Sequence, residues 1–235
     1  MNFKQLWAIK KGKDKTGLFF IEGPNAISEI PKNVTEVYII SETYDGDIPG
    51  RAKFLSEKKF LSLSDAKTPQ GIIAVCRRKI LNLKDLENLE TDGSIIICER
   101  IQDPGNVGAI IRSAVAFGAN AAIFVNCASA VSPKALRASA GAYFALPVFE
   151  ELNLLEVVNI IKRKRLLIAG APNGETGFDK AKLKNAAFLI GNEGSGLSTE
   201  ALNLADVKIS ISINKIQSLN AAIAASIFLY EAAKI

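Results

Sequence analysis

Short apolar, β-branched runs alternate with helical patterns along the 235 residues, which predicts an α/β protein with mainly parallel sheet. A polar, leucine-spaced stretch between two strand-rich halves predicts two domains. In the second half, residues able to carry chemistry sit on successive strand-to-helix junctions, where α/β proteins place their ligands.

The expected strands are Leu18–Glu22, Val37–Ile40, Ile72–Val75, Ile95–Cys98, Ala121–Val125, Leu166–Ala169, Ala187–Ile190 and Val207–Ile211. Leu81, Leu83, Leu86 and Leu89 mark a linker, or a short amphipathic helix packed on one domain. We therefore expect a small N-terminal domain over 1–76, a linker over 77–92 and a larger domain over 93–235.

After Pro104, the residues Val107, Ile110, Ile111, Ala114 and Val115 fall on one helical stripe. Asn106 stands where an N-cap belongs and Gly118 where a C-cap belongs. Arg112 lies about 140° around the helix from Val107, away from the stripe, so packing does not explain it. Taken alone, it reads as a solvated arginine on the outer face.

A second motif, Gly191-Asn192-Glu193-Gly194-Ser195-Gly196-Leu197-Ser198, follows the apolar run Ala187–Ile190. Its glycines let backbone approach a ligand, with Ser198 available to cap the next helix. It lacks the Gly-Lys-Ser/Thr ending of a P-loop and the order of a dinucleotide fingerprint. Glu193 would repel a triphosphate and suits a neutral or cationic ligand. A third motif, Ser218-Leu219-Asn220, opens an apolar helix over Ala221 to Lys234 that is expected to be buried. Ser218 reads as its N-cap, which leaves Asn220 to be explained.

Lysine and arginine total 29 against 24 acidic residues, a net charge of +5. The excess gathers at Lys10, Lys11, Lys13 and Lys15 and at Lys162-Arg163-Lys164-Arg165, which leans toward a polyanionic partner. Cys76, Cys98 and Cys127 have no metal-site spacing and fit a reducing cytoplasm as small core residues. No signal-peptide core opens the chain. The longest uncharged helical run, Ile216 to Tyr230, falls short of the ~20 residues a membrane span needs. There is no histidine, which removes Ser-His-Asp and Cys-His pairs and every His-bearing zinc site, and no metal is expected.

Together the three motifs resemble those of the SpoU-type RNA methyltransferases of the SPOUT superfamily. Asp103, Pro104, Asn106, Val107, Gly108 and Arg112 are similar to the family's first motif, Gly191–Ser198 to its second and Ser218–Asn220 to its third. Arg137–Ala142 and Leu146–Val148 add to the likeness, which covers 93–235. Leu18–Gly23 and Thr68–Ile72 resemble the ribosomal-protein-like RNA-binding domain often fused to these enzymes. Two departures stand out: Ile211-Ser212-Ile213 replaces the usual Ile-Pro-Met, and the turn after it carries Asn214-Lys215 without a glycine.

The resemblance implies a C-terminal trefoil knot, a homodimer, S-adenosylmethionine as methyl donor and a ribose 2′-hydroxyl of RNA as acceptor. Ribosomal RNA is favoured over tRNA. The alternative is a catalytically inactive RNA-binding module of the same fold. By the same resemblance, Gly170, Gly191, Asn192, Ile211 and Leu219 are expected to hold the cofactor, while Arg112, Asn106, Glu193, Ser218 and Asn220 are expected to serve catalysis. An arginine has too high a pKa to make a good base, so Arg112 is read as a clamp on the target phosphate and a stabiliser of the developing alkoxide. Glu193 or solvent would then take the proton.

Overall fold

In the computed structural model, which describes residues 1–14, 16–176 and 183–234, α1 (Phe3–Lys10) leads into β1 (Leu18–Glu22). There follow α2 (Pro24–Ser28), β2 (Thr35–Ser41), β3 (Ala52–Leu55), α3 (Glu57–Leu63) and β4 (Ile72–Arg77). These strands form one sheet in the order β1-β4-β2-β3. Only β2 and β3 run parallel, so the expectation of mainly parallel sheet fails here. The core of this unit gathers Leu6, Ile9, Ile39, Phe60, Leu63, Ile73 and Val75. Glu22, at the end of β1, accepts hydrogen bonds from the Ser64 hydroxyl and from the Asp65 and Ala66 amides, which pins the turn after α3.

The chain divides into two compact units, one of Met1–Ile80 with Val131–Arg137 and the other of the remainder. Within the expected linker 77–92, Leu83–Glu87 forms α4, closed by an Asn82–Asp85 capping box. Leu81, Leu83, Leu86 and Leu89 all pack into the core of the larger unit.

After α4 the chain continues with β5 (Ile95–Glu99), α5 (Pro104–Ala116) and β6 (Ala121–Val125) of the larger unit, then α6 (Pro133–Ser139), most of which falls in the first unit, and β7 (Val148–Glu150) of the larger one. It ends with α7 (Leu154–Ile161), β8 (Leu167–Thr176), β9 (Ala187–Ile190), α8 (Thr199–Leu204), β10 (Val207–Ser210) and α9 (Ala221–Ala233). Six strands pair in the order β10-β8-β9-β5-β6-β7, every pair parallel. Every residue of β5, β6 and β9 is buried, as expected of central parallel strands covered on both faces. Residues of α4, α7 and α8 join one core with one face of the sheet, and α5 and α9 pack together on β6 and β9. There Phe188 of β9 meets Phe228 of α9 at 5.5 Å.

The strand β8 runs well past its expected end. It pairs with β10 through Ala169↔Lys208 and then resumes at Glu175↔Ile209, so 170–174 bulge out between paired segments. Neither β3 nor β7 was foreseen: β3 carries the exposed Phe54, and β7 spans three residues.

The second basic cluster makes contacts within the fold, and one of its members is buried. Lys162 pairs with Asp206 at 2.6 Å and donates to the Leu204 carbonyl. Arg163 pairs with Glu87, and Lys164 donates to the Glu87 carbonyl at 2.7 Å. Arg165 is only 8% exposed and its guanidinium donates to the carbonyls of Gly93, Glu90 and Asn185. A charge this buried has to be satisfied internally, so Arg165 ties 90–93 to the end of α7 and is lost to the expected polyanion-binding patch, while Lys162, Arg163 and Lys164 stay exposed. In the first cluster, Lys10 is held by Asp65 and the Ser64 carbonyl, Lys11 and Lys13 are exposed, and Lys15 lies outside the described residues.

Candidate active site

The site is built at the carboxyl ends of β5, β8, β9 and β10. In α5 the N-cap is Asp103, whose carboxylate accepts from the Gly105 amide at 2.7 Å, with Pro104 as first helical residue. Asn106 therefore lies inside the first turn and its side chain is free for other work; the expected N-cap assignment is corrected. The C-cap is Phe117, and Gly118 follows it with φ +68°, so the glycine lies one position further out than expected.

A parallel correction applies to α9. Asn220, not Ser218, is the N-cap, accepting from the Ala222 and Ile223 amides at 2.9 and 3.3 Å. Nor is α9 buried all round, since Ile223 is 53% and Tyr230 48% exposed.

These two helix starts are joined. With its oxygen occupied by the cap, Asn220 presents Nδ2, which donates to Asn106 Oδ1 at 2.9 Å. Asn106 Nδ2 then donates to Glu193 Oε1 at 2.6 Å. The cap fixes the sense of both amides, so one hydrogen-bonded chain runs from the start of α9 through α5 to the glycine-rich loop.

The loop 191–198 is itself rigid. Asn192 and Gly196 exchange backbone hydrogen bonds, and Asn192 Oδ1 accepts from the Gly194 and Ser195 amides. Asn192 Nδ2 donates to the Arg100 carbonyl at 2.8 Å. The backbone crosses itself so closely that a Cβ on Gly191 would lie 2.2 Å from Gly196 C and Leu197 N. Only glycine fits there.

Two residues that the sequence did not single out hold this loop to the sheet. Glu99, buried at the end of β5, accepts from the Ser198 amide at 2.8 Å and the Ser198 hydroxyl at 2.7 Å. Ser198 in turn caps α8, as expected. Arg100 turns away from the strand with φ +60° and donates from Nη2 to the Gly196 carbonyl. A carboxylate ending an otherwise apolar strand was the available signal.

Beside the loop is a cleft of about 780 Å³. Its walls are Gly170–Pro172 from the β8 bulge, Ile190–Leu197, Ile209–Ile213 and Ile216–Leu219, backed by Ala221, Ala224 and Phe228 of α9. All five residues expected to hold a cofactor, Gly170, Gly191, Asn192, Ile211 and Leu219, line it, as do Glu193 and Ser218. Asn106 and Asn220 reach it through Glu193. Arg112 is exposed on α5 and belongs neither to this lining nor to the amide chain. In the altered turn, Lys215 adopts φ +65°, the left-handed conformation a glycine ordinarily supplies.

Among the described residues that line the cleft, Glu193 alone is charged. Cys98 and Cys127 are near enough for its carboxylate to act on them. Burial pushes the Cys127 thiol up to about 12, against hydrogen bonds from the Ile101 and Arg100 amides, with Glu193 and Glu150 adding to the rise. Cys98 is raised well above the ordinary value, first by burial and then by Cys127 and Glu193.

Residues 93–230 match the model of the SpoU rRNA methylase family. The chain belongs to that family. Over 231 residues, 94% of this SpoU-family chain and 90% of the relative, it is 32% identical to the 23S rRNA (guanosine(2553)-2′-O)-methyltransferase RlmP of Bacillus subtilis. It is 29% identical to the 23S rRNA (guanosine-2′-O-)-methyltransferase RlmB of Coxiella burnetii, covering 95% of this chain and 96% of that one. Among solved structures, the SpoU methyltransferase AviRb from Streptomyces viridochromogenes, in complex with AdoMet, superposes with a TM-score of 0.86. That pair is 26% identical, covering 99% of this chain and 96% of the other.

Proposed function

We propose that this SpoU-family protein is an S-adenosylmethionine-dependent methyltransferase acting on a ribose 2′-hydroxyl of ribosomal RNA. The observation that carries the cofactor class is the cleft, in which apolar side chains and backbone surround a single charge, the carboxylate of Glu193. Among the described residues no lysine or arginine lines it, which disfavours a phosphate-bearing ligand, and its volume suits a small-molecule cofactor. A sulfonium cation matches one carboxylate in such a setting. When bound, that cofactor supplies an electrophilic methyl group. The relatives named above act on 23S rRNA, which favours ribosomal RNA over tRNA.

The protein's own residues then have three tasks. Gly170, Gly191, Asn192, Ile211 and Leu219 shape the cleft, Asn192 by fixing the loop and presenting its backbone. Asn220 and Asn106 hold the Glu193 carboxylate in one orientation, from which it accepts the proton of the 2′-hydroxyl, while Ser218 orients the groups around it. Arg112 clamps the target phosphate and stabilises the developing alkoxide. General-base help of this kind is worth roughly 10²–10⁴-fold, and positioning up to ~7–11 kcal/mol.

Arg112 completes this arrangement when a second copy supplies it. The exposed Ile223 and Tyr230 of α9, with Phe117 of α5 packed on Tyr230 at 5.6 Å, give a homodimer an apolar face next to the helix that bears Arg112. The trefoil knot, RNA binding by 1–76, methyl transfer by 93–235 and a cytoplasmic location belong to the same reading. Among the described residues no helix is long and apolar enough to cross a membrane. A catalytically inactive module would have no use for an oriented Glu193, and the intact amide chain favours the enzyme.

The deciding experiment is Arg112→Ala assayed for methyl transfer to ribosomal RNA and for S-adenosylmethionine affinity. Transfer should be abolished with the cofactor still bound. Loss of cofactor binding would overturn the role given to Arg112, and transfer at the wild-type rate would overturn it equally.

A further inference from the structure

The first unit carries an aromatic and basic ladder on its outer side, in which Phe3 packs partly buried against the core while Trp7 is exposed. In α1, Leu6 and Ile9 face inward, while Lys4, Trp7 and Lys11 fall at i, i+3 and i+7 on the outer side. Trp7 is 39% exposed. Its ring stacks on Phe3, with centroids 6.4 Å apart and planes within 24°. At one end of this pair Lys11 Nζ sits 5.0 Å from the Trp7 ring; at the other, Lys59 Nζ of α3 sits 6.0 Å from the Phe3 ring. Lys4 and Lys58 flank the row, both exposed. Among the described residues none of Lys4, Lys11, Lys58 and Lys59 is paired with a carboxylate, whereas Lys10 on the same helix is held by Asp65 at 2.6 Å.

We infer that this ladder is a docking surface for a single-stranded segment of RNA. A base stacks on Trp7, and Lys11 and Lys59 move from the ring faces to the flanking phosphates. The charge is complementary to a polyanion, and a flat exposed aromatic asks for a base that is already unstacked, which a duplex does not offer. An acidic peptide would satisfy the lysines but leave the exposed Trp7 ring unexplained. The inference deepens the proposed function by placing substrate contact on α1 and α3 of the first unit.

Trp7 is the only tryptophan of the chain, so its emission reports on this surface in the full-length protein without any substitution. The probe is a mixed-sequence single-stranded RNA of about 12 nucleotides, labelled for anisotropy. Binding should quench Trp7 in step with the anisotropy change. Trp7→Ala should weaken binding about tenfold and Trp7→Phe should restore most of it. Lys11→Ala with Lys59→Ala should lower the slope of log K against log salt by about 1.4. S-adenosylmethionine affinity should not move in any of these variants.

Saturable RNA binding that leaves the emission unchanged overturns the inference, as does a Trp7→Ala protein within about twofold of wild type. So does equal quenching by a duplex or by polyglutamate. Should Trp7→Ala fail to fold by circular dichroism, the wild-type emission decides alone. A protein whose Trp7 is quenched by RNA but which methylates none would sink the proposed function and leave this surface standing.

Discussion

Asn106 and Glu193 are 87 residues apart in the chain and share a 2.6 Å hydrogen bond in which the amide donates to the carboxylate. The sense of that bond is set by neither residue. It is set by Asn220, whose oxygen is committed to the first turn of α9 and whose nitrogen must therefore meet Asn106 Oδ1. One helix cap thus decides which face of a carboxamide looks at the cleft.

Asn220→Asp separates the cap from the relay. An aspartate still caps α9, so unfolding free energy by urea titration should stay within about 0.5 kcal/mol of wild type. It cannot donate, however, and Asn106 must turn its nitrogen toward the new carboxylate and away from Glu193. Methyl transfer at saturating substrates should fall at least about tenfold, and Glu193→Gln should cost about 100-fold or more. An unchanged rate in Asn220→Asp would remove the relay from the mechanism.

Gly191 and Gly194 lie three residues apart in one loop and should respond oppositely to alanine. At Gly191 the added carbon meets backbone at 2.2 Å, and at Gly194 its nearest neighbour is Asn192 Oδ1 at 3.6 Å. Gly191→Ala should cost about 3 kcal/mol and abolish cofactor binding by calorimetry. Gly194→Ala should stay within about 0.5 kcal/mol.

Arg165→Lys keeps the charge and loses the fork that reaches three carbonyls. Thermal and urea unfolding should show a loss of about 2 kcal/mol or more, with RNA affinity unaltered. Weakened RNA binding at full stability would restore the polyanion reading of 162–165.

Asp206 supplies a pH test. Burial pushes its carboxyl up, but the hydrogen bond from Lys162, the Leu167 amide and the Lys162 charge outweigh this and hold it below the ordinary carboxylate value. A group lowered in the folded state contributes stability above its unfolded pKa, and loses it as pH falls through the folded one. Asp206→Asn should therefore melt below wild type at pH 7, and the gap should begin to narrow as the pH falls below about 4 and close only as it passes the lowered folded-state value. A gap that widens in acid would contradict the assignment.

Ile223→Asp places a charge on the exposed side of α9 without touching the amide chain. Sedimentation should show a shift from dimer to monomer, and methyl transfer should be lost with it, because Arg112 is then missing from the site. A variant that stays dimeric and active would place the contact elsewhere.

What was legible in the sequence was whatever depends on local pattern. The apolar runs of β5, β6 and β9 are continuous because both faces are buried, and they were read to within a residue. The glycine-rich loop at a strand end was read from its residues, but Gly170, Ile211 and Leu219 in the lining of the cleft followed only from the family resemblance. The caps were misread because Asp103 and Asn106, or Ser218 and Asn220, are equally good cap residues by type, and only the backbone decides between them. Arg165 was misread as a free cation because nothing local says that three carbonyls will surround it. Strand β3 has no inward-facing run to announce it. Glu99 was passed over because its partner, Ser198, lies 99 residues away.

The cap of α9 also has a thermodynamic side. Fraying of that first turn frees the Asn220 amide, and with it the reference for the Asn106 side of the Glu193 carboxylate, whose other oxygen is held by Asn192 Nδ2 at 3.3 Å. Any contact that stiffens the end of α9, including a second copy of the chain on Ile223, therefore also tightens the carboxylate in the cleft. In the proposed homodimer, assembly and turnover would be linked functions, so specific activity should rise with protein concentration and cofactor should sharpen the association in return.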